Sequence, residues 1–104
     1  MSDLRTPSVE AFLDVIVGVK DNDQAYSLIE DLFTIREIKE TSQRLAVARM
    51  LDEGIPYVAI EEATGASATT IARVSKALNY GSGGYRVALD LLAEKQETGK
   101  GQTP

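Results

Sequence analysis

Apolar residues recur along this chain at intervals of three and four, the spacing that collects side chains on one face of a helix. The first run is Val9, Phe12, Leu13, Ile16 and Val17, opened by Thr6 as N-cap and Pro7 in the first turn. Val15 and Val19 widen the band beyond one stripe, so this short helix needs cover on more than one side. After a polar break at residues 20–23, Asp23 is placed to cap a second helix to about Phe33. Tyr26, Ile29 and Phe33 line one face of it, and Leu28 and Leu32 an adjacent one. The third helix has the clearest start. In Thr34-Ile35-Arg36-Glu37 the threonine hydroxyl can accept from the N3 amide while Glu37 reaches back to the Thr34 amide. This helix is predicted to run to about Glu53, with Ile38, Leu45 and Ala48 on its inner face and Gly54 as its stop.

Pro56 begins a short helix to about Thr64, Gly65-Ala66-Ser67 is a tight turn, and Ser67 caps a further helix over about 68–79. Ile71, Val74, Ser75 and Leu78 form the inner face of that helix. Asn79 to Gly84 is a polar, glycine-rich loop in which Gly81 suits a left-handed C′ position. Tyr85, Ala88, Leu91 and Leu92 mark a last helix. No hairpin dipeptide and few alternating β-branched runs occur, so no sheet is expected. The pattern predicts an all-α fold of about six helices, one helical domain over 1–94, and a disordered polar tail over 95–104.

Composition narrows the chemistry. The 104 residues include no cysteine and no histidine, which removes thiol chemistry, the commonest general base and the commonest zinc ligand. Neighbouring acids such as Asp52-Glu53 and Glu61-Glu62 point apart on a helix instead of converging on a substrate. No enzyme, metal site or cofactor is therefore expected. No apolar run approaches the ~20 residues of a membrane span. Met1 to Pro7 lacks a basic stretch followed by an apolar one, so a cytoplasmic protein is the expectation.

The net charge is −5, unhelpful for nucleic acid taken as a sum. Its distribution is more informative. Residues 1–62 carry thirteen acids and six bases, whereas residues 63–89 carry no acid and three bases, Arg73, Lys76 and Arg86. That cationic stretch overlaps residues 56–79, whose short helix, three-residue turn and second helix have the size of a helix-turn-helix. An ordinary helical hairpin has the same spacing, and Glu61 stands where such motifs usually carry a small residue. The outward face of the second helix favours the DNA reading. It carries Thr69, Arg73 and Lys76 in register, with Ala68 and Thr70 in the first turn and no acid. Threonine and alanine suit base edges and the thymine methyl, and arginine and lysine suit guanine or phosphate.

The span from Phe12 to Leu92 resembles the Trp repressor family, in particular its smaller YerC/YecD-type branch. The resemblance rests on helix order and lengths and on several strings: Thr34-Ile35-Arg36-Glu37, Gln43-Arg44-Leu45, Thr64 to Arg73, and Tyr80-Gly81-Ser82-Gly83-Gly84-Tyr85. It implies an intertwined homodimer, which would explain the apolar first helix, and two reading heads that suit a near-palindromic site in double-stranded DNA. It also implies a small-molecule pocket, in which Arg44 and Arg73 match the arginines that hold tryptophan and Thr34 matches a nearby threonine. Val74 stands where the tryptophan-binding proteins have the glycine that leaves room for the indole. Tryptophan is therefore not expected as effector, another small molecule stays open, and the arginines have a structural alternative in pairing with Glu37 or Glu40. Two of the family's phosphate-contacting cations are replaced by Val58 and Glu61. The resulting expectation is a homodimeric DNA-binding transcriptional regulator, a repressor. The alternative is a helical dimer that offers the same surface to a protein.

Overall fold

The computed structural model describes residues 4–102, with side chains to residue 96. Its described residues form six helices and no strand: α1 Pro7–Gly18, α2 Asn22–Leu32, α3 Ile35–Asp52, α4 Tyr57–Thr64, α5 Ala68–Tyr80 and α6 Gly84–Gln102. None is long and apolar enough to cross a membrane. The chain packs as two units, residues 1–38 and 39–104, where the sequence pattern had placed 1–94 in a single domain.

In the first unit the caps are local. The Thr6 hydroxyl accepts from the Val9 amide, and Pro7 occupies the first turn where its missing N–H costs nothing. Asp21, not Asp23, caps α2: its carboxylate accepts from the Gln24 amide at 2.9 Å, and Asp23 falls in the acid-favouring first turn. Thr34 and Glu37 form the reciprocal capping box, at 2.9 Å and 3.1 Å. Neither α1 nor α2 has a fully buried residue. Val15, Ile16, Tyr26, Leu32 and Ile35 are exposed, and Val17 is 84% exposed. Phe12, Ile16, Val19, Ala25, Leu28, Ile29 and Phe33 surround an apolar cavity of about 220 Å³.

The second unit has a closed core. Val47, Ala48, Ile60, Ala66, Ile71 and Val74 are buried together, with Met50, Leu51, Ile55 and Tyr85 packed around them. α3 turns Val47 as well as Ala48 inward, a position its own periodicity had not singled out. Among the described side chains of α6 the buried residue is Leu89, while Leu91, expected inside, is exposed along with Val87. Arg86 ties α6 to α3, donating to the Asp52 carboxylate at 2.6 Å and 3.3 Å, with Asp90 3.7 Å away. The disordered tail expected over 95–104 needs correcting. The backbone stays helical to Gln102, as the strong helix formers at 93–97 favour, and residues 103–104 lie outside the described residues.

Candidate nucleic-acid interface

The helix-turn-helix is built around one glycine. Gly65 ends α4 with φ 75°, a left-handed conformation that a side chain would strain, and its amide donates to the Glu61 carbonyl at 2.9 Å. Thr64 organises the turn from its other side. Its hydroxyl donates to the Ile60 carbonyl at 2.8 Å and accepts from the Ala66 amide at 3.1 Å. The Thr64 carbonyl, one of the orphan acceptors at a helix C-terminus, accepts from Gln43 Nε2 of α3 at 3.0 Å. Ser67 then starts α5, its hydroxyl accepting from the Thr70 amide at 3.1 Å. Two helices and their turn are thus fixed by local hydrogen bonds and by Ile60, Ala66, Ile71 and Val74 packed beneath them.

That packing decides what α5 shows to solvent. Ile71 and Val74 are buried and Ser75 and Leu78 half-buried, so the opposite side carries Ala68, Thr69, Ala72, Arg73, Lys76 and Tyr80, all exposed. Thr69, Arg73 and Lys76 share one stripe, as their spacing requires. Thr70 stands apart from them. It is half-buried at the edge of the face, and its hydroxyl oxygen accepts from Ser67 Oγ at 3.1 Å, leaving its own proton free to donate. Arg86, the third base of the acid-free stretch, is committed to Asp52 and lies on α6. The cationic character of the exposed face of α5 therefore rests on Arg73 and Lys76. α4 adds none: Tyr57, Val58 and Glu62 are exposed on it.

Beside this face lies a cavity of about 220 Å³ with a mixed polar and apolar lining of Arg44, Thr70, Arg73, Val74, Ala77 and Tyr85. Arg44 and Arg73 thus line one cavity. Thr34 belongs to the other unit, where its hydroxyl caps α3. Val74 is 2% exposed, so its side chain is part of the core as well as one wall of the cavity. Glu37, one suggested partner for Arg44, spends one carboxylate oxygen on the Thr34 amide.

The family of Trp repressor proteins matches residues 7–93, nearly the whole described chain. The chain belongs to the Trp repressor family. Among relatives, the uncharacterised protein YerC of Bacillus subtilis is 45% identical over 93 residues, 89% of either chain. Among solved structures, a TrpR-like protein of Eubacterium eligens aligns with a TM-score of 0.85 at 45% identity, covering 89% of this chain and 96% of its own. A Trp repressor-like protein of Staphylococcus aureus aligns at 0.83 and 36% identity, covering 88% and 92%. Both neighbours share the six-helix, all-α fold. Membership of the Trp repressor family supports a DNA-binding regulator with a helix-turn-helix, and residues 57–80 are where this chain carries that motif.

Tyr80 is the residue of the face that sequence reasoning passed over. Its place four residues after Lys76 puts it on the same stripe, a signal present in the sequence but hidden by grouping it with the following loop.

Proposed function

We propose that this chain is a sequence-specific DNA-binding transcriptional regulator, a repressor, that acts as a homodimer and performs no catalysis. The observation that carries the reading is the acid-free, exposed face of α5, with Thr69, Arg73 and Lys76 directly opposite the buried Ile71 and Val74. A helix held this way presents its N-terminal turns to a major groove, with threonine at base edges and the cations at guanine or phosphate. Family membership supports the same assignment. The dimer is supported by the first unit, whose apolar side chains have too little cover within one chain; fully covering each Val, Leu or Ile gains ~1.5–3 kcal/mol. A regulator of this kind would act in the cytoplasm, where it meets its DNA.

The alternative, a helical dimer using this surface for a protein partner, draws on α4, which exposes Tyr57 and Val58 beside Glu62 and offers no cation to phosphate. Selection of bound fragments from random DNA decides between the two. The DNA reading expects recovery of a near-palindromic site whose binding weakens steeply with salt as counterions are released. Recovery of no enriched fragment at low salt would overturn it.

A further inference from the structure

We infer that Tyr80 is a phosphate-contacting residue of the DNA interface, gripping the backbone at the edge of the groove that Thr69 enters; the assignment rests on the DNA reading above. Thr69, Arg73, Lys76 and Tyr80 follow at intervals of four, three and four, so all four project from one side of α5. A helix rises 1.5 Å per residue, which places Tyr80 on the order of 16 Å along the axis from Thr69. The major groove is only about 12 Å wide. With the first turn of α5 among the bases, its fourth turn has passed the rim and lies against the sugar-phosphate backbone.

Tyr80 is 86% exposed, more than any other large apolar or aromatic side chain described. It does not hang from a frayed end. The Asn79 side chain donates through Nδ2 to the Ser75 carbonyl at 2.9 Å, and the Gly81 backbone amide donates to the Ala77 carbonyl at 2.9 Å. Gly81 itself takes extended backbone, φ −83°, instead of the left-handed form its composition had suggested. A Cβ there would run into the Ala77 carbonyl oxygen, so only glycine lets the chain leave α5 directly after Tyr80. The ring is therefore presented from a fixed last turn. A phenol suits the place chemically. It donates one hydrogen bond to a phosphodiester oxygen without adding charge, and α4 supplies no phosphate-binding cation in this chain.

The test uses the parent protein, Tyr80→Phe and Lys76→Ala on a fragment selected by the parent from random DNA. Tyr80→Phe removes only the hydroxyl. It is expected to weaken binding at least roughly tenfold, since a dimer loses two hydrogen bonds from an uncharged donor to anionic phosphate oxygens. The loss should be equal on selected and random DNA, and the salt slope should stay at the parent value because no counterion is involved. Lys76→Ala, by contrast, lowers the slope. If Tyr80→Phe binds like the parent while Lys76→Ala is impaired, the assignment of Tyr80 is overturned and the DNA reading stands. A parent that selects no fragment overturns both. Tyr80→Ala checked by light scattering guards the remaining case: a dimer that dissociates would place Tyr80 between copies of the chain and overturn the proposal.

Discussion

The chemistry of the reading face comes down to a few side chains whose direction is set by neighbours they never touch. Thr69 and Lys76 are exposed because Ile71 and Val74 are buried. Their substitutions should separate two kinds of contact. Thr69→Ala should cost ~1–3 kcal/mol on the preferred site and little on random DNA. Lys76→Ala should weaken both alike and flatten the salt slope by about 0.9 per lost phosphate contact. Fluorescence anisotropy over a salt series reads both, and equal losses on both DNAs for Thr69→Ala would remove it from the bases. Val74 carries a second prediction. Its side chain is packed into the core and lines the Arg44–Arg73 cavity, at the position where the resemblance puts the glycine that leaves room for an indole. Titration calorimetry with L-tryptophan at millimolar concentration should give no specific heat. A saturable signal would mean that the cavity opens without displacing Val74.

At the scale of elements, the turn before α5, the proposed recognition helix, is held by α3 as much as by its own cap. Gln43 spans twenty-one residues to hold the Thr64 carbonyl, half-buried at the turn. Gln43→Met keeps the shape and leaves that acceptor unpaired, which should cost ~1 kcal/mol in denaturant unfolding. Weaker protection of the Gly65 and Ala66 amides against hydrogen exchange should accompany it; unchanged stability and protection would show that Gln43 does not hold the turn. The other tie to α3 is ionic and exposed. Hydrogen bonding to Arg86 lowers the Asp52 pKa, with the nearby guanidinium charge acting in the same direction. A lowered carboxylate pKa stabilises the fold above the ordinary carboxylate range, and this contribution disappears as pH falls through the lowered value. Both groups are solvated, so the effect is small. Asp52→Asn should therefore be slightly less stable than the parent near neutral pH, with the gap closing in acid. A gap that does not change with pH would assign the loss to packing.

For the whole molecule the decisive surface is the first unit. Ile16 lines an apolar cavity yet is 47% exposed, and Val15 and Val17 beside it are also exposed. We expect light scattering at micromolar concentration to give twice the chain mass. Ile16→Asp, which would bury an unpaired charge if a second copy covers this face, should shift the protein to monomer and abolish tight DNA binding. A parent that is monomeric and folded would sink the dimer, and with it the expectation of a palindromic site.

Local chemistry was legible in the linear sequence wherever a single turn decides the outcome. Thr6-Pro7, the Thr34–Glu37 box, Gly54, Gly65 and Ser67 each satisfy or redirect backbone groups a few residues away, so six helices and a helix-turn-helix could be read without knowing their neighbours. Asp21 in place of Asp23 shows the limit of that reading, since two acids in the same break are equally able to cap. Only the tertiary structure decided which apolar residues are inside. Val47 and Leu89 are buried and Leu91 is not, because burial depends on which helix arrives at each face. It also committed Arg86 to Asp52, thirty-four residues away, and so removed it from the cationic stretch. Gln43 at the turn belongs to the same class, because its partner Thr64 comes from chain folded back upon itself and periodicity within one helix carries no information about that.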